Sequence, residues 1–139
     1  MWLYQSREFK DEQIEDNIGF VYLITNLIND RKYIGKKLFK FSKKLYRKTK
    51  NKKIQVESDW KTYYGSNDEL NNDVKALGSD NFQREILRLC KSKSECNYFE
   101  LREQLVNDAL LSPELYYNAY IGTRISRKQM GKLCKTSKI

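Results

Sequence analysis

The spacing of apolar and polar residues changes along the chain, and each change marks an expected element. Residues 20 to 26 read Phe-Val-Tyr-Leu-Ile-Thr-Asn, and Lys32-Tyr33-Ile34-Gly35 follows after a short turn-like break. Both runs are β-branched or aromatic, and Leu27 to Arg31 carries an Asn-Asp turn signal, so they predict a hairpin of antiparallel strands. Such a hairpin sets Tyr22 and Tyr33, eleven positions apart, side by side.

From Lys36 to about Tyr46, Leu38, Phe39, Phe41 and Leu45 stand among lysines, compatible with a short helix packed by one face. Arg47 to Lys53 is almost purely basic and reads as a loop. Ser66-Asn67-Asp68-Glu69 has the form of a helix capping box. Leu70, Val74 and Leu77 then mark a buried stripe, and Gly78 is placed to end the helix in a left-handed cap. Phe82 to Leu89 predicts a third strand. Ser92 to Glu95 is a second capping box, opening a helix with Tyr98, Leu101, Leu105, Val106 and Ala109 on one side and an end near Leu111, before Pro113.

These elements predict one α/β domain, a small three-stranded antiparallel sheet flanked by helices, over residues 19 to 121. Residues 1 to 18 are a polar lead-in that frays or covers an edge, and residues 122 to 139 form a basic tail.

Charge points to a polyanion. The chain has 27 Lys and Arg against 18 Asp and Glu, a formal net charge of +9. Residues 31 to 53 and 119 to 139 together hold eighteen of these cations and no acid. Each phosphate neutralised by such a block releases counterions, which makes nucleic acid the leading partner. The candidate contacts are Lys37, Lys43, Lys44, Lys48, Lys50, Lys52 and Lys53 in the first block, with Arg124, Arg127 and Lys128 in the second. A merely solvated charged surface is the plain alternative.

Cys90, Cys96 and Cys134 form no Cys-x-x-Cys pair, and the first residues are no signal peptide. Free thiols in a cytoplasmic protein are expected. No apolar run approaches the roughly 20 residues that span a bilayer. The absence of histidine removes imidazole-based nucleases, His-ligated zinc and Ser-His or Cys-His nucleophiles. Any catalytic base must be a tyrosine, a lysine or a carboxylate.

On the last helix, the expected apolar stripe places Glu103 at its margin, able to look into a cleft, while Glu100 points to water. A solvated charge is the plain reading of either. Arg102 falls near the centre of the stripe, so it must snorkel, pair or touch a ligand. Trp60, Tyr63 and Tyr64 could stack on bases, with core packing as the simpler role.

In order along the chain, Phe20-Val21-Tyr22, Tyr33-Ile34-Gly35, Glu103 on its helix and Asn118 in Tyr116-Tyr117-Asn118 resemble the GIY-YIG nucleases. Tyr64-Gly65-Ser66 through Gly78, and Phe82 to Leu87, are similar to the phage and mobile-element, homing-type branch of that family. The resemblance covers residues 19 to 121. Two departures stand out: Phe20 replaces the leading glycine, with Gly19 beside it, and the position eight after Gly35 holds Lys43 where the family usually has arginine. Arg47 is one turn later, and Lys36 or Lys37 adjoins the second motif.

The resemblance implies a DNA endonuclease, acting on the double strand and leaving 5′-phosphate and 3′-hydroxyl ends. Tyr22 would be the general base, Tyr33 would position water or phosphate, and Arg47 or Lys36 would supply the activating cation. Glu103 would hold Mg²⁺ or Mn²⁺, and Asn118 would orient the site. Specificity would rest on the 36 to 60 insertion, the tail, a second copy or an accessory protein. The alternatives are a non-cutting nucleic-acid-binding module of the same fold and a structural or RNA-associated basic protein.

Overall fold

The computed structural model describes residues 1–46, 51–122 and 126–133. Its strands are β1 (Trp2–Tyr4), β2 (Arg7–Glu8), β3 (Gly19–Asn26), β4 (Lys32–Leu38), β5 (Lys40–Tyr46), β6 (Asn51–Glu57) and β7 (Phe82–Cys90). Helix α1 (Asp68–Leu77) precedes β7 and helix α2 (Lys93–Val106) follows it.

The hairpin forms as its composition dictates. Strands β3 and β4 pair antiparallel with Tyr22 opposite Gly35 and Ile24 opposite Tyr33. The sheet around them is larger than three strands. Five strands run in the order β2-β1-β7-β3-β4, and β1 lies parallel to β7, so the sheet is mixed. Trp2 is what draws the amino terminus in: it is buried, donates from its indole to the Trp60 carbonyl at 2.6 Å, and packs edge-on to Phe20 at 5.0 Å. Burying so large a ring is favourable enough to order a short strand, provided its N–H finds an acceptor.

Alternation along β3 divides the core in two. Phe20, Tyr22 and Ile24 face a mostly aromatic layer containing Trp2, Phe9, Phe39, Trp60, Leu70 and Phe82. Val21 faces the other way, and with Ile34 and Cys90 it packs on Cys96 and Phe99 of α2.

The short helix expected over Lys36 to Tyr46 is absent. Strand β4 runs on to Leu38, and β5 turns back as β6 in a separate two-stranded ribbon, with Phe41 opposite Val56 and Lys43 opposite Ile54. Along β6 exposure alternates strictly, Lys53, Gln55 and Glu57 outward and Ile54 and Val56 half-buried, which is the period of a strand. The basic loop expected over 47 to 53 is therefore strand from Asn51 onward.

Both predicted caps mark real helix starts, one of them a residue late. Asn67, not Ser66, caps α1 by accepting from the Leu70 amide, whereas Ser92 caps α2 by accepting from the Glu95 amide. Gly78 ends α1 at φ 92°, a conformation that costs a glycine little. Helix α2 stops at Val106, five residues before Leu111.

Strand β4 is a sheet edge, and the chain after α2 returns to cover half of it. The Lys32 amide donates to the Leu115 carbonyl at 2.9 Å and the Tyr117 amide to the Lys32 carbonyl at 2.8 Å. The segment then leaves the strand, and the edge at Gly35 and Lys36 lines a cleft.

Candidate active site

The cleft has a volume of about 280 Å³. Tyr22, Tyr33, Gly35 and Lys36 reach it from the hairpin, and Ser66 and Asn67 from the start of α1. Glu100, Leu101 and Gln104 come from α2, and Asn118 to Gly122 from the returning segment.

Tyr22 is almost fully buried, with its ring 6.2 Å from that of Tyr33 and 6.1 Å, edge-on, from that of Tyr63. Tyr33 is half-buried, and its hydroxyl shares a hydrogen bond with Ser66 at 3.2 Å. Burial raises the pKa of both phenols, that of Tyr22 well above the ordinary value, and the neighbouring tyrosines and Glu100 add to the effect. Neither phenol loses its proton readily in the unliganded chain.

Asn118 sits where the returning segment leaves β4. Its Oδ1 accepts from the Ile34 amide at 3.0 Å and its Nδ2 donates to the Ile34 carbonyl at 2.8 Å. The side chain thus continues the backbone pairing by one step and fixes the residue between Tyr33 and Gly35.

The carboxylate in the cleft is Glu100, not Glu103. Helix α2 buries Cys96, Phe99 and Gln104, which turns it from the predicted stripe: Leu105 and Val106 are exposed and so is Arg102. The phase error has a clear source. Leu105 and Val106 are more apolar than Cys96 and Gln104, yet the face that meets the sheet is set by Cys96 and Phe99, three apart. Arg102 consequently needs no buried partner. Glu103 lies outside the cleft lining, and its Oε2 and main-chain carbonyl both receive the Asn107 side chain, at 3.4 Å and 2.8 Å. Burial raises the Glu100 pKa, and the Lys36 ammonium partly opposes that shift.

Lys36 is the one cation lining the cleft among the described residues, and it donates to the Asn97 side-chain oxygen. Lys37, its neighbour, points to the other face of the sheet. There its ammonium pairs with Asp59 at 2.6 Å and stands 3.9 Å over the Tyr63 ring. Arg47, Lys48, Lys50 and Arg124 lie outside the described residues. Lys43 and Lys53 are exposed on the ribbon, and Lys44 and Lys52 belong to its strands. Arg127 and Lys128 are exposed beside the 3-10 turn Lys128–Leu133.

Of the residues proposed from the sequence, Tyr22, Tyr33, Lys36 and Asn118 come together. Glu100, expected to face water, and Gln104 and Ser66, given no role in the site, line the cleft with them. For Glu100 and Gln104 the signal is the Cys96 and Phe99 spacing; Ser66 reaches Tyr33 only through tertiary packing, and Tyr63, read as a base-stacking or core residue, packs on the Tyr22 ring outside the cleft lining. Gln104 is buried, and its Oε1 has no hydrogen-bond partner among the described residues. No cluster of three acidic, Cys or His residues suited to a metal occurs among the described residues. Nor is any described helix long and apolar enough to cross a membrane.

A family model described as "Putative endonuclease segE, GIY-YIG domain" matches residues 2–121. The protein named "Putative endonuclease segE" of Enterobacteria phage T4 is 31% identical over 99 residues, which are 71% of this chain and 39% of that relative. The chain therefore matches about two fifths of the relative's length. No solved structure matches the chain.

Proposed function

The chain belongs to the GIY-YIG endonuclease family, and from that membership and the cleft we propose that it is a divalent-metal-dependent endonuclease hydrolysing DNA phosphodiester bonds. The products would carry 5′-phosphate and 3′-hydroxyl ends, and the setting would be a phage-borne, homing-type enzyme acting in the host cytoplasm. The observation that carries the reading is the convergence of Tyr22, Tyr33, Lys36 and Glu100 on one cleft at the sheet edge.

Glu100 would hold Mg²⁺ or Mn²⁺. A single carboxylate with oxygen-bearing neighbours suits a hard cation that keeps several waters and takes the rest of its ligands from a phosphate. When bound, the cation supplies charge stabilisation at the phosphate and at the leaving 3′ oxygen. The chain's own groups do the rest. Tyr22, at the cleft floor, is placed to take a proton from the attacking water. Its raised pKa means that it does so only with positive charge nearby, and Lys36, which lines the same cleft, would supply part of that charge. Tyr33, tied to Ser66, positions the phosphate or the water. Asn118 holds the backbone that carries Tyr33 and Gly35. DNA would be held by the exposed lysines of the ribbon.

Supercoiled-plasmid cleavage with Mg²⁺ tests the proposal. Glu100→Gln and Tyr22→Phe should each lose at least about a hundredfold in rate, the scale of a removed charge-stabilising or acid–base group, whereas Glu103→Gln should stay within a few-fold of wild type. A wild-type chain as inert as Glu100→Gln would reduce the protein to a nucleic-acid-binding module. Loss of activity in Glu103→Gln with Glu100→Gln unaffected would overturn the assignment of the carboxylate.

A further inference from the structure

Gln104 stands one helical turn after Glu100, so both side chains leave the same face of α2 into the cleft. Its exposure is only 5%, and its Oε1 accepts nothing among the described residues. Buried polar atoms are almost always paired, so an unpaired carboxamide oxygen on a residue that lines a cleft indicates a partner that binds there. The partner must be a donor or a cation, because a carboxamide oxygen can only accept. The neighbouring group on that face is the Glu100 carboxylate. Two oxygen-bearing side chains one turn apart on a helix, one charged and one neutral, suit a hydrated divalent cation, which binds oxygen and retains much of its water shell.

We infer that Gln104 is a positioning residue for the cation at Glu100: its Oε1 accepts a hydrogen bond from a water of the cation's hydration shell. The inference rests on the reading of Glu100 as the metal carboxylate and goes beyond it. Helix α2 would then fix the ion at two points, which sets where it stands against the two tyrosines as well as that it binds. Outer-shell partners of this kind are worth roughly ten- to a hundredfold in metal affinity.

Mn²⁺ titration of the full chain, followed by the loss of the free-ion electron paramagnetic resonance signal, reads this without any DNA or cleavage. Gln104→Leu keeps the volume and removes the acceptor, so its Mn²⁺ dissociation constant should rise roughly tenfold. Its thermal unfolding without metal should not fall, because no side-chain hydrogen bond among the described residues is lost. Gln104→Glu adds charge at the same point and should tighten Mn²⁺ binding. Should Gln104→Leu bind Mn²⁺ as wild type does and Gln104→Glu fail to tighten it, Gln104 holds only an ordinary trapped water and the inference is overturned. Glu100→Gln separates the two levels: if that substitution leaves Mn²⁺ affinity unchanged, the metal assignment itself falls, and if it weakens binding while both Gln104 variants change nothing, only the role of Gln104 does.

Discussion

The ring of Tyr22 lies across Gly35, its partner in the β3–β4 ladder, so closely that a Cβ on Gly35 would stand 2.3 Å from the tyrosine hydroxyl oxygen and 2.4 Å from the carbon bearing it. The two motifs are therefore one contact: the second needs glycine because the first needs its tyrosine there. Space is the constraint, since Gly35 has no left-handed backbone.

Gly35→Ala must displace the Tyr22 ring, which is hemmed by Trp2 and Tyr63 and has nowhere easy to go. Overpacking of this kind costs about 1–3 kcal/mol. Thermal unfolding should fall by several degrees, and plasmid cleavage should drop to the level of Tyr22→Phe even at temperatures where the variant is fully folded. A folded Gly35→Ala with wild-type cleavage would show that the position of Tyr22 is immaterial.

Asn118→Ala leaves the buried Ile34 amide and carbonyl without partners, at about 1–3 kcal/mol for each. Chemical denaturation should show a loss of about 2–6 kcal/mol. Asn118→Asp is the sharper probe. It can still accept from the Ile34 N–H, but an ionised carboxylate faces the Ile34 carbonyl with no donor, so Asp should rescue Ala only at a pH low enough to protonate it.

How far the site was legible follows from these contacts. Tyr22, Tyr33 and Gly35 could be read because strand periodicity is local and two runs of β-branched and aromatic residues fix a hairpin by themselves. Asn118 could be placed only by motif, since its partner Ile34 is 84 positions away. Hydrophobicity alone sets the phase of α2 by Leu105 and Val106, which favours Glu103 over Glu100. What decides the phase is the fit of Cys96 and Phe99 against Val21 and Ile34, a tertiary fact. The first two strands were invisible for a similar reason, as three and two residues carry no period and Trp2 joins the sheet through Trp60 and Phe20. The ribbon is hidden in the sequence because lysines on β5 and β6 mask the alternation, which only Ile54 and Val56 of β6 maintain among the residues whose burial is described.

Burial of Tyr22 predicts an alkaline weakness. Its folded pKa lies well above the ordinary phenol value of 10.0, so the folded state keeps a proton that the unfolded chain gives up. Stability from this group is fully present below about pH 10 and is lost as pH rises beyond it, because there the unfolded state binds fewer protons than the native one. Urea midpoints measured from pH 8 to 11.5 should fall more steeply above pH 10 for wild type than for Tyr22→Phe. Parallel curves would mean that Tyr22 titrates normally in the fold.

The lysines of the first basic block should divide into two classes that an ionic-strength series can separate. Lys37 is committed within the protein, its ammonium held by Asp59 and the Tyr63 ring, with 19% of its side chain exposed. Lys43 and Lys53 are exposed on the ribbon. If the ribbon contacts duplex phosphates, Lys43→Ala and Lys53→Ala should each lower the slope of log affinity against log salt by about 0.9. Lys37→Ala should leave that slope unchanged while lowering stability by about 1–2 kcal/mol, the scale of an ion pair with an added cation–π contact. Fluorescence anisotropy with one labelled duplex, repeated from 50 to 200 mM salt as in the range over which such slopes are large, measures all three. A changed slope for Lys37→Ala with none for the ribbon variants would move the DNA from the ribbon to the sheet face carrying Tyr63.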